Sequence, residues 1–215
     1  MTPADDAESI ANRLNEQLLA AGLKPINEET TAKFAEYLAL LLRWNARMNL
    51  TAIRNPQGIL SRHFVESIAC AQALPTGIVT LLDFGSGAGF PGIPIALCRP
   101  EINVTLAESQ SKKAAFLREV LRSLKLGSRV FGGRGETIEE RFDCVTLRAV
   151  DRMEQAVAAA SKLIRVGGWL AVFTTQANLA VLEATGGALQ CGTLIPMPGS
   201  ERRVLILASK IELTA

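Results

Sequence analysis

The run Asp83-Phe84-Gly85-Ser86-Gly87-Ala88-Gly89-Phe90-Pro91-Gly92 sets a carboxylate before three glycines at alternate positions, a combination suited to holding a nucleoside. An apolar segment (Ile78, Val79, Leu81, Leu82) leads into it. Pro91 follows with a fixed φ that suits the first turn of a helix, and Ile93, Ile95, Ala96 and Leu97 give that helix an apolar face. A strand, a glycine turn and a helix N-terminus make a nucleotide-binding corner, where glycine lets the ligand lie against the backbone. The dinucleotide fingerprint needs Gly or Ala where this chain has Phe90. Asp83, two residues before the first glycine, repels a pyrophosphate but attracts the cationic amino acid end of S-adenosylmethionine. The corner reads as an S-adenosylmethionine site, with Gly85, Gly87 and Phe90 against the cofactor.

Other candidates fall where such a corner would meet the rest of its ligand. Glu108 ends the next apolar segment about twenty residues on, in place to accept bonds from ribose hydroxyls, or to be an ordinary exposed acid. Arg134-Gly135-Glu136 follows a third segment; a backbone N–H of Gly135 or Glu136 there reads an adenine edge, or the residues form a plain turn. Arg148 closes the fourth segment, as a cation for a carboxylate or phosphate or as half of a salt bridge. Between Glu36 and Glu66 there is no acid, yet Arg43, Arg47, Arg54, Arg62 and His63 fall there beside Trp44 and several asparagines. That stretch suits an RNA backbone, or is a solvated face opposed by acids from elsewhere. His63, the sole histidine, has no second ligand for a metal. It is expected to pack or to touch a phosphate.

The elements that must position these groups are legible in outline. Residues 5–22 read as a helix capped by Asp5 or Asp6, with Ile10, Leu14, Leu18 and Leu19 in one stripe and Gly22 at its end. A second helix is expected from Asn27 to Met48 and a third from Pro56, with Ile59, Leu60, Phe64, Ile68 and Ala69 inward. Strands then alternate with helices: Ile78–Phe84, a helix after Pro91, Val104–Ala107, a helix from Lys112 to Leu126, Arg129–Phe131, Phe142–Leu147, a helix from Met153 to Ile164, and Trp169–Thr175 opened by Gly167-Gly168. This alternation predicts an α/β fold with a doubly wound, mostly parallel sheet. Leu189–Ile195 and Val204–Ala208 flank a Pro-Gly turn and read as a hairpin-like pair that adds an antiparallel strand. Residues 1–75 are expected to form a helical extension that binds RNA, and 76–215 a Rossmann-like domain, packed as one globular unit.

Composition sets the bounds. At 215 residues and 48% hydrophobic, the chain suits one domain with an appendage. No apolar run reaches the roughly 18–20 residues of a membrane span, and the acidic start lacks the plan of a signal peptide. Cys70, Cys98, Cys144 and Cys191 are far apart, with no Cys-x-x-Cys pair, and read as buried thiols of a cytoplasmic protein.

Trp44-Asn45-x-x-x-Asn49-Leu50-Thr51, Arg62-His63-x-x-x-Ser67, the block from Asp83 to Pro94, Arg148-Ala149, and Arg202 before the last strand together resemble the small-subunit ribosomal RNA methyltransferase G family, also called glucose-inhibited division protein B. The resemblance spans nearly the whole chain in order. It implies a class I methyltransferase that uses S-adenosylmethionine to methylate N7 of a guanine in 16S ribosomal RNA. Implied cofactor contacts are Gly85, Phe90, Gly135, Glu136 and Arg148, and Arg43, Arg47, Arg62, His63 and Arg202 are the candidates for RNA. Three positions depart from the family pattern: Glu108 for Asp, Leu147 for Ser, and Thr174-Thr175 for Lys-Gly. Guanine N7 carries a lone pair and no proton, so the transfer needs alignment and no general base. Accordingly no catalytic acid, base or metal is named, and the partner is 16S ribosomal RNA or the small subunit, met by a monomer. The competing readings are a small-molecule methyltransferase, a nicotinamide-dependent oxidoreductase, and a non-enzymatic RNA-binding module.

Overall fold

The structure is a computed structural model and describes residues 3–149, 152–185 and 188–212. Seven strands form one sheet in the order β3-β2-β1-β4-β5-β7-β6. They are β1 (Thr80–Phe84), β2 (Asn103–Ala107), β3 (Arg129–Phe131), β4 (Phe142–Arg148), β5 (Ile164–Thr175), β6 (Leu189–Pro196) and β7 (Arg203–Lys210). The first five run parallel, β7 is antiparallel to β5, and β6 is antiparallel to β7. This is the mostly parallel sheet with an antiparallel C-terminal addition that the sequence predicts.

Alternation along the strands divides the core into two layers. Leu81, Cys144, Ala171, Phe173, Leu205 and Leu207 face one side; Leu82, Val145, Leu170, Val172 and Ile206 face the other. The second side is covered by α7 (Met153–Leu163) and α8 (Leu179–Thr185). The first is covered by α5 (Gly92–Cys98) and α6 (Ser111–Ser123), and also by the N-terminal helices α1 (Pro3–Ala20), α2 (Glu28–Asn45) and α4 (Glu66–Ala73). Phe34, Tyr37 and Phe64 are fully buried in that layer, each contributing about 1.5–3 kcal/mol by removal from water. The helical segment thus shares a core with the sheet.

Several boundaries differ from expectation for visible reasons. The first helix begins at Pro3, which places Asp5 and Asp6 inside its first turn, and Leu19 points to solvent while Leu14 and Leu18 are buried. α2 has Asn27 as its N-cap but stops at Asn45. There the buried Asn45 amide accepts from Leu50 N and Thr51 N and donates to the Thr51 carbonyl, organising the loop in place of another helical turn. The third helix is interrupted: α3 (Pro56–Ile59) passes into a π-helical turn, Leu60–Val65, before α4. β5 starts at Ile164, so Gly167-Gly168 lies within the strand, where a Cβ on Gly168 would meet the Asp143 carbonyl at 2.8 Å. Pro91, joined to Phe90 by a cis peptide, caps α5 from outside its first turn. The short helix α8 has no clear signature in the sequence.

Candidate cofactor corner and arginine-lined cavity

At the carboxyl end of β1 the chain turns through Gly85, Gly87 and Gly89, all at positive φ. Gly85 N and Ser86 N both donate to the Ala107 carbonyl, binding the turn to β2. Two of these glycines serve different ends. A Cβ on Gly85 would meet nothing within 4 Å, leaving open space over the backbone, whereas one on Gly89 would lie 2.4 Å from Ile93 and 2.8 Å from the Tyr37 hydroxyl. Gly85 therefore offers room to a ligand, and Gly89 lets the protein close on itself.

Glu108 is buried at the end of β2 and not an exposed acid. Its Oε2 accepts from Gly87 N at 2.9 Å and its Oε1 from Gln110 N at 2.7 Å, which fastens the glycine turn to β2. Each carboxylate oxygen keeps a second lone pair for a ribose hydroxyl. Gly135 is buried against the Phe84 ring, where a Cβ would sit 2.4 Å from a ring carbon; Glu136 is exposed in the same single turn, Gly135–Thr137.

Asp83 does not present its carboxylate to a ligand. It is 1% exposed, its Oδ1 accepts from the Thr146 hydroxyl at 2.8 Å, and its Oδ2 accepts from Gly92 N at 3.1 Å. The role expected of it, attracting the amino acid end of the cofactor, gives way to a structural one: it anchors the first turn of α5 to β1 and β4. Burial raises its carboxyl from the usual range to about 6, against the lowering effect of those bonds and of Arg148.

The N-terminal helices grip this corner directly. The Tyr37 hydroxyl, on α2, donates to the Ala88 carbonyl inside the glycine turn. The His63 ring, on the π-helical turn, stacks on Phe90 at 4.5 Å between centroids and 14° between planes. His63 Nε2 lies 2.8 Å from the Thr51 hydroxyl. Burial, with Arg148 and Arg62 beside it, lowers the imidazole to about 3, so it is neutral under ordinary conditions. Among the two outcomes expected for His63, packing is what the structure shows; Phe90 lies buried beneath it.

One strand over, a cavity of about 210 Å³ opens at the carboxyl ends of β4 and β5. Its centre is Glu66, 1% exposed and gripped by three arginines. Arg148 Nη2 reaches Oε2 at 2.8 Å, while Arg62 Nε (3.1 Å) and Arg203 Nη2 (2.7 Å) reach Oε1. Arg148 also donates to Ser67 Oγ and to the Arg62 carbonyl, and its guanidinium lies 4.9 Å above the Phe173 ring. The salt-bridge alternative for Arg148 is thus realised, with Glu66. Strand alternation explains the convergence, since Arg148, Phe173 and Arg203 stand on the sheet face that α4 covers. Ala149, just beyond Arg148, sits in the left-handed region (φ 52°) at the cavity edge.

The remaining candidates lie apart from this convergence. Arg43 is exposed on α2 and pairs with Glu119 of α6 at 2.6 Å, an acid facing it from elsewhere in the fold. Arg47 is exposed. Arg202 is exposed in the turn, and its neighbour Arg203 is the one that enters the cavity. Sequence reasoning missed Glu66, Arg203 and Phe173, although the two-residue period linking Arg203 to Leu205 and Leu207 could have found Arg203. Of the departures noted, Leu147 faces the opposite core layer, and Thr174 and Thr175 line the cavity. Cys70 and Cys144 are buried, and no helix among the described residues is long and apolar enough to cross a membrane.

Comparison with known proteins fits this geometry. The family model described as GidB, rRNA small subunit methyltransferase G, matches residues 30–193. The Ribosomal RNA small subunit methyltransferase G of Xanthomonas campestris pv. campestris (strain B100) is 38% identical over 214 residues, covering 97% of each chain. The protein of the same name from Roseiflexus sp. (strain RS-1) is 38% identical over 207 residues, covering 89% of this chain and 88% of that one. Among solved structures, a SAM dependent methyltransferase from Aquifex aeolicus superposes with a TM-score of 0.56 at 16% identity, over 70% of this chain and 92% of that one, a likeness of fold. A match through the glycine corner, the π-helical turn and the arginine-bearing β4 places this chain in the rRNA small subunit methyltransferase G family.

Proposed function

We propose that this chain transfers a methyl group from S-adenosylmethionine to N7 of a guanine in the 16S RNA of the small ribosomal subunit, acting as a cytoplasmic monomer. The observation that carries the reading is the pairing of a glycine corner at β1 with a cationic cavity at β4 and β5, with no residue between them, among the described residues, fit to remove a proton. His63 is stacked on Phe90 and, pushed down to about 3, is a weak base; Glu66 is held by three arginines, and Asp83 is buried under two hydrogen bonds. An acceptor that loses a proton would need one of them as a base. N7 loses none.

The residues present fit the cofactor. The open space at Gly85 admits a ligand against the backbone, Glu108 keeps lone pairs for ribose hydroxyls, and the N–H groups of Gly135 and Glu136 stand at the next strand end for an adenine edge. When bound, S-adenosylmethionine supplies an electrophilic methyl on a sulfonium. The chain's own part is to orient: Glu108 fixes the glycine turn, Phe90 under His63 walls it, and Arg148 joins the corner to the cavity. We further infer that residues 1–75 serve as the RNA-binding part, with Arg47 and Arg62 as phosphate contacts, while packing with 76–215 as one unit.

Mass mapping of methylated guanines in ribosomal RNA, from cells with and without the protein, tests the assignment. The expected outcome is a single 7-methylguanosine in 16S RNA that disappears with the protein. A lost exocyclic or ribose methyl in its place would overturn it.

A further inference from the structure

The arginine cluster is larger than the carboxylate it surrounds. Three guanidiniums meet one buried acid, and no other acid lines the cavity among the described residues. Arg62 uses only Nε on Glu66, and Arg203 only Nε and Nη2. Among the described residues, both terminal nitrogens of Arg62 and Nη1 of Arg203 have no acceptor. The Arg62 and Arg203 side chains are 43% and 29% exposed, whereas Arg148 is 11% exposed and has an acceptor at each terminal nitrogen. Two cations therefore show donor-bearing edges to a cavity that carries excess positive charge. The rest of the lining is Phe173, whose ring Arg148 covers, the buried Met197, and the hydroxyl-bearing Thr174 and Thr175. Guanidinium edges match the oxygens of a phosphate.

We propose that this cavity seats one nucleotide of the RNA substrate, with Arg62 and Arg203 receiving its phosphate and Glu66 as the positioning residue that holds both guanidiniums. The inference rests on the reading of RNA as the substrate and adds the contact that reads it. Glu66 touches no substrate atom. It fixes two long side chains that would otherwise sample many rotamers, and so reduces the entropy lost when the phosphate arrives.

The test compares guanosine 3′,5′-bisphosphate with guanosine, each titrated by calorimetry or NMR into the full chain saturated with S-adenosylhomocysteine. The bisphosphate is expected to bind the wild type at least tenfold more tightly. Arg203→Met should cut that advantage below threefold with S-adenosylhomocysteine affinity unchanged, and Arg203→Lys should restore part of it. Glu66→Gln should lose the advantage too. Should that variant not fold, Arg203→Met, at the cavity rim, decides the matter alone. Equal affinity for the two probes in the wild type, or an undiminished advantage in Arg203→Met, overturns the proposal. Methylation of 16S RNA by the same wild-type preparation reads the parent assignment separately: a phosphate advantage without RNA methylation supports the seat and removes the ribosomal substrate.

Discussion

The two ends of the site are built from opposite materials. The glycine corner is local: Asp83 to Gly92 form one uninterrupted stretch, its groups are backbone amides, and its charged members are acids tied to those amides. The arginine cavity is remote: the π-helical turn, α4, β4 and β7 each bring one charged residue, and their only common feature is Glu66. A corner that must approach a nucleoside closely is made by removing side chains. The cavity is made the other way, by importing charged side chains and restraining them on Glu66. Loss of the buried Glu66 carboxylate should accordingly be felt as lost fold, and crowding of the open backbone at Gly85 as lost affinity.

The largest expected effect is at the cavity. Glu66→Leu strips the partner from the buried Arg148 and should destabilise the chain by about 3–5 kcal/mol in urea unfolding. A loss under about 1 kcal/mol would mean the arginines find other acceptors and the contrast fails. Next is Asp83→Asn, whose oxygen still accepts from Gly92 N and whose amide can donate to a turned Thr146 hydroxyl, while a charge that the fold disfavours is removed. The folded carboxyl stands at about 6, above its ordinary value near 3.9, so the cost of ionising it is present above pH 6 and relieved as pH falls from 6 toward 4. The variant should exceed the wild type in stability at pH 7, by on the order of 3 kcal/mol, and the gap should close by pH 4. A gap independent of pH would place the titration elsewhere.

At the corner, Gly85→Ala should cost only about 1–2 kcal/mol for its positive φ, since no atom crowds the added carbon. Its effect on S-adenosylmethionine affinity should be tenfold or more in calorimetry. Unaltered affinity would move the ligand off that backbone. A smaller change is expected on the exposed helix face, where Arg47→Ala should reduce the log–log salt slope of RNA binding by about 0.7–0.9. Arg43→Ala should change it less, because Glu119 already neutralises that side chain. The least response is to pH: with His63 at about 3, single-turnover methylation on saturating RNA should stay nearly flat from about pH 6.5 to 9. A rise of unit slope abolished by His63→Ala would show a general base at work.

What the sequence revealed follows the same division. The sheet, its antiparallel end and the glycine corner are legible because each is written in neighbouring residues: apolar runs, alternate glycines, a Pro-Gly turn. Glu108 was found by its distance from the glycines, though its backbone partners, Gly87 and Gln110, were not. Asp83 was misread because its spacing is shared by acids that face ligands and acids that anchor helices; only the positions of Thr146 and Gly92 separate the two. Glu66 was invisible since nothing near it in the chain announces three arginines, two of them more than eighty positions away. Arg202 is visible in the motif as a string, whereas the entry of Arg203 into the cavity shows only through the strand's two-residue alternation.

The pairing of Glu66 with Arg203 spans 137 positions, nearly two thirds of the chain, and this bears on how the protein is made. During synthesis the helices that carry Arg62 and Glu66 emerge early and wait for the last long strand. Until β7 docks antiparallel to β5, the cavity lacks one wall and one of its cations. Contacts of such separation form late and slowly, since the intervening loop must close before they stabilise anything. A nascent chain on the ribosome therefore carries a nearly complete glycine corner well before Arg203 can join Arg62 and Arg148 on Glu66.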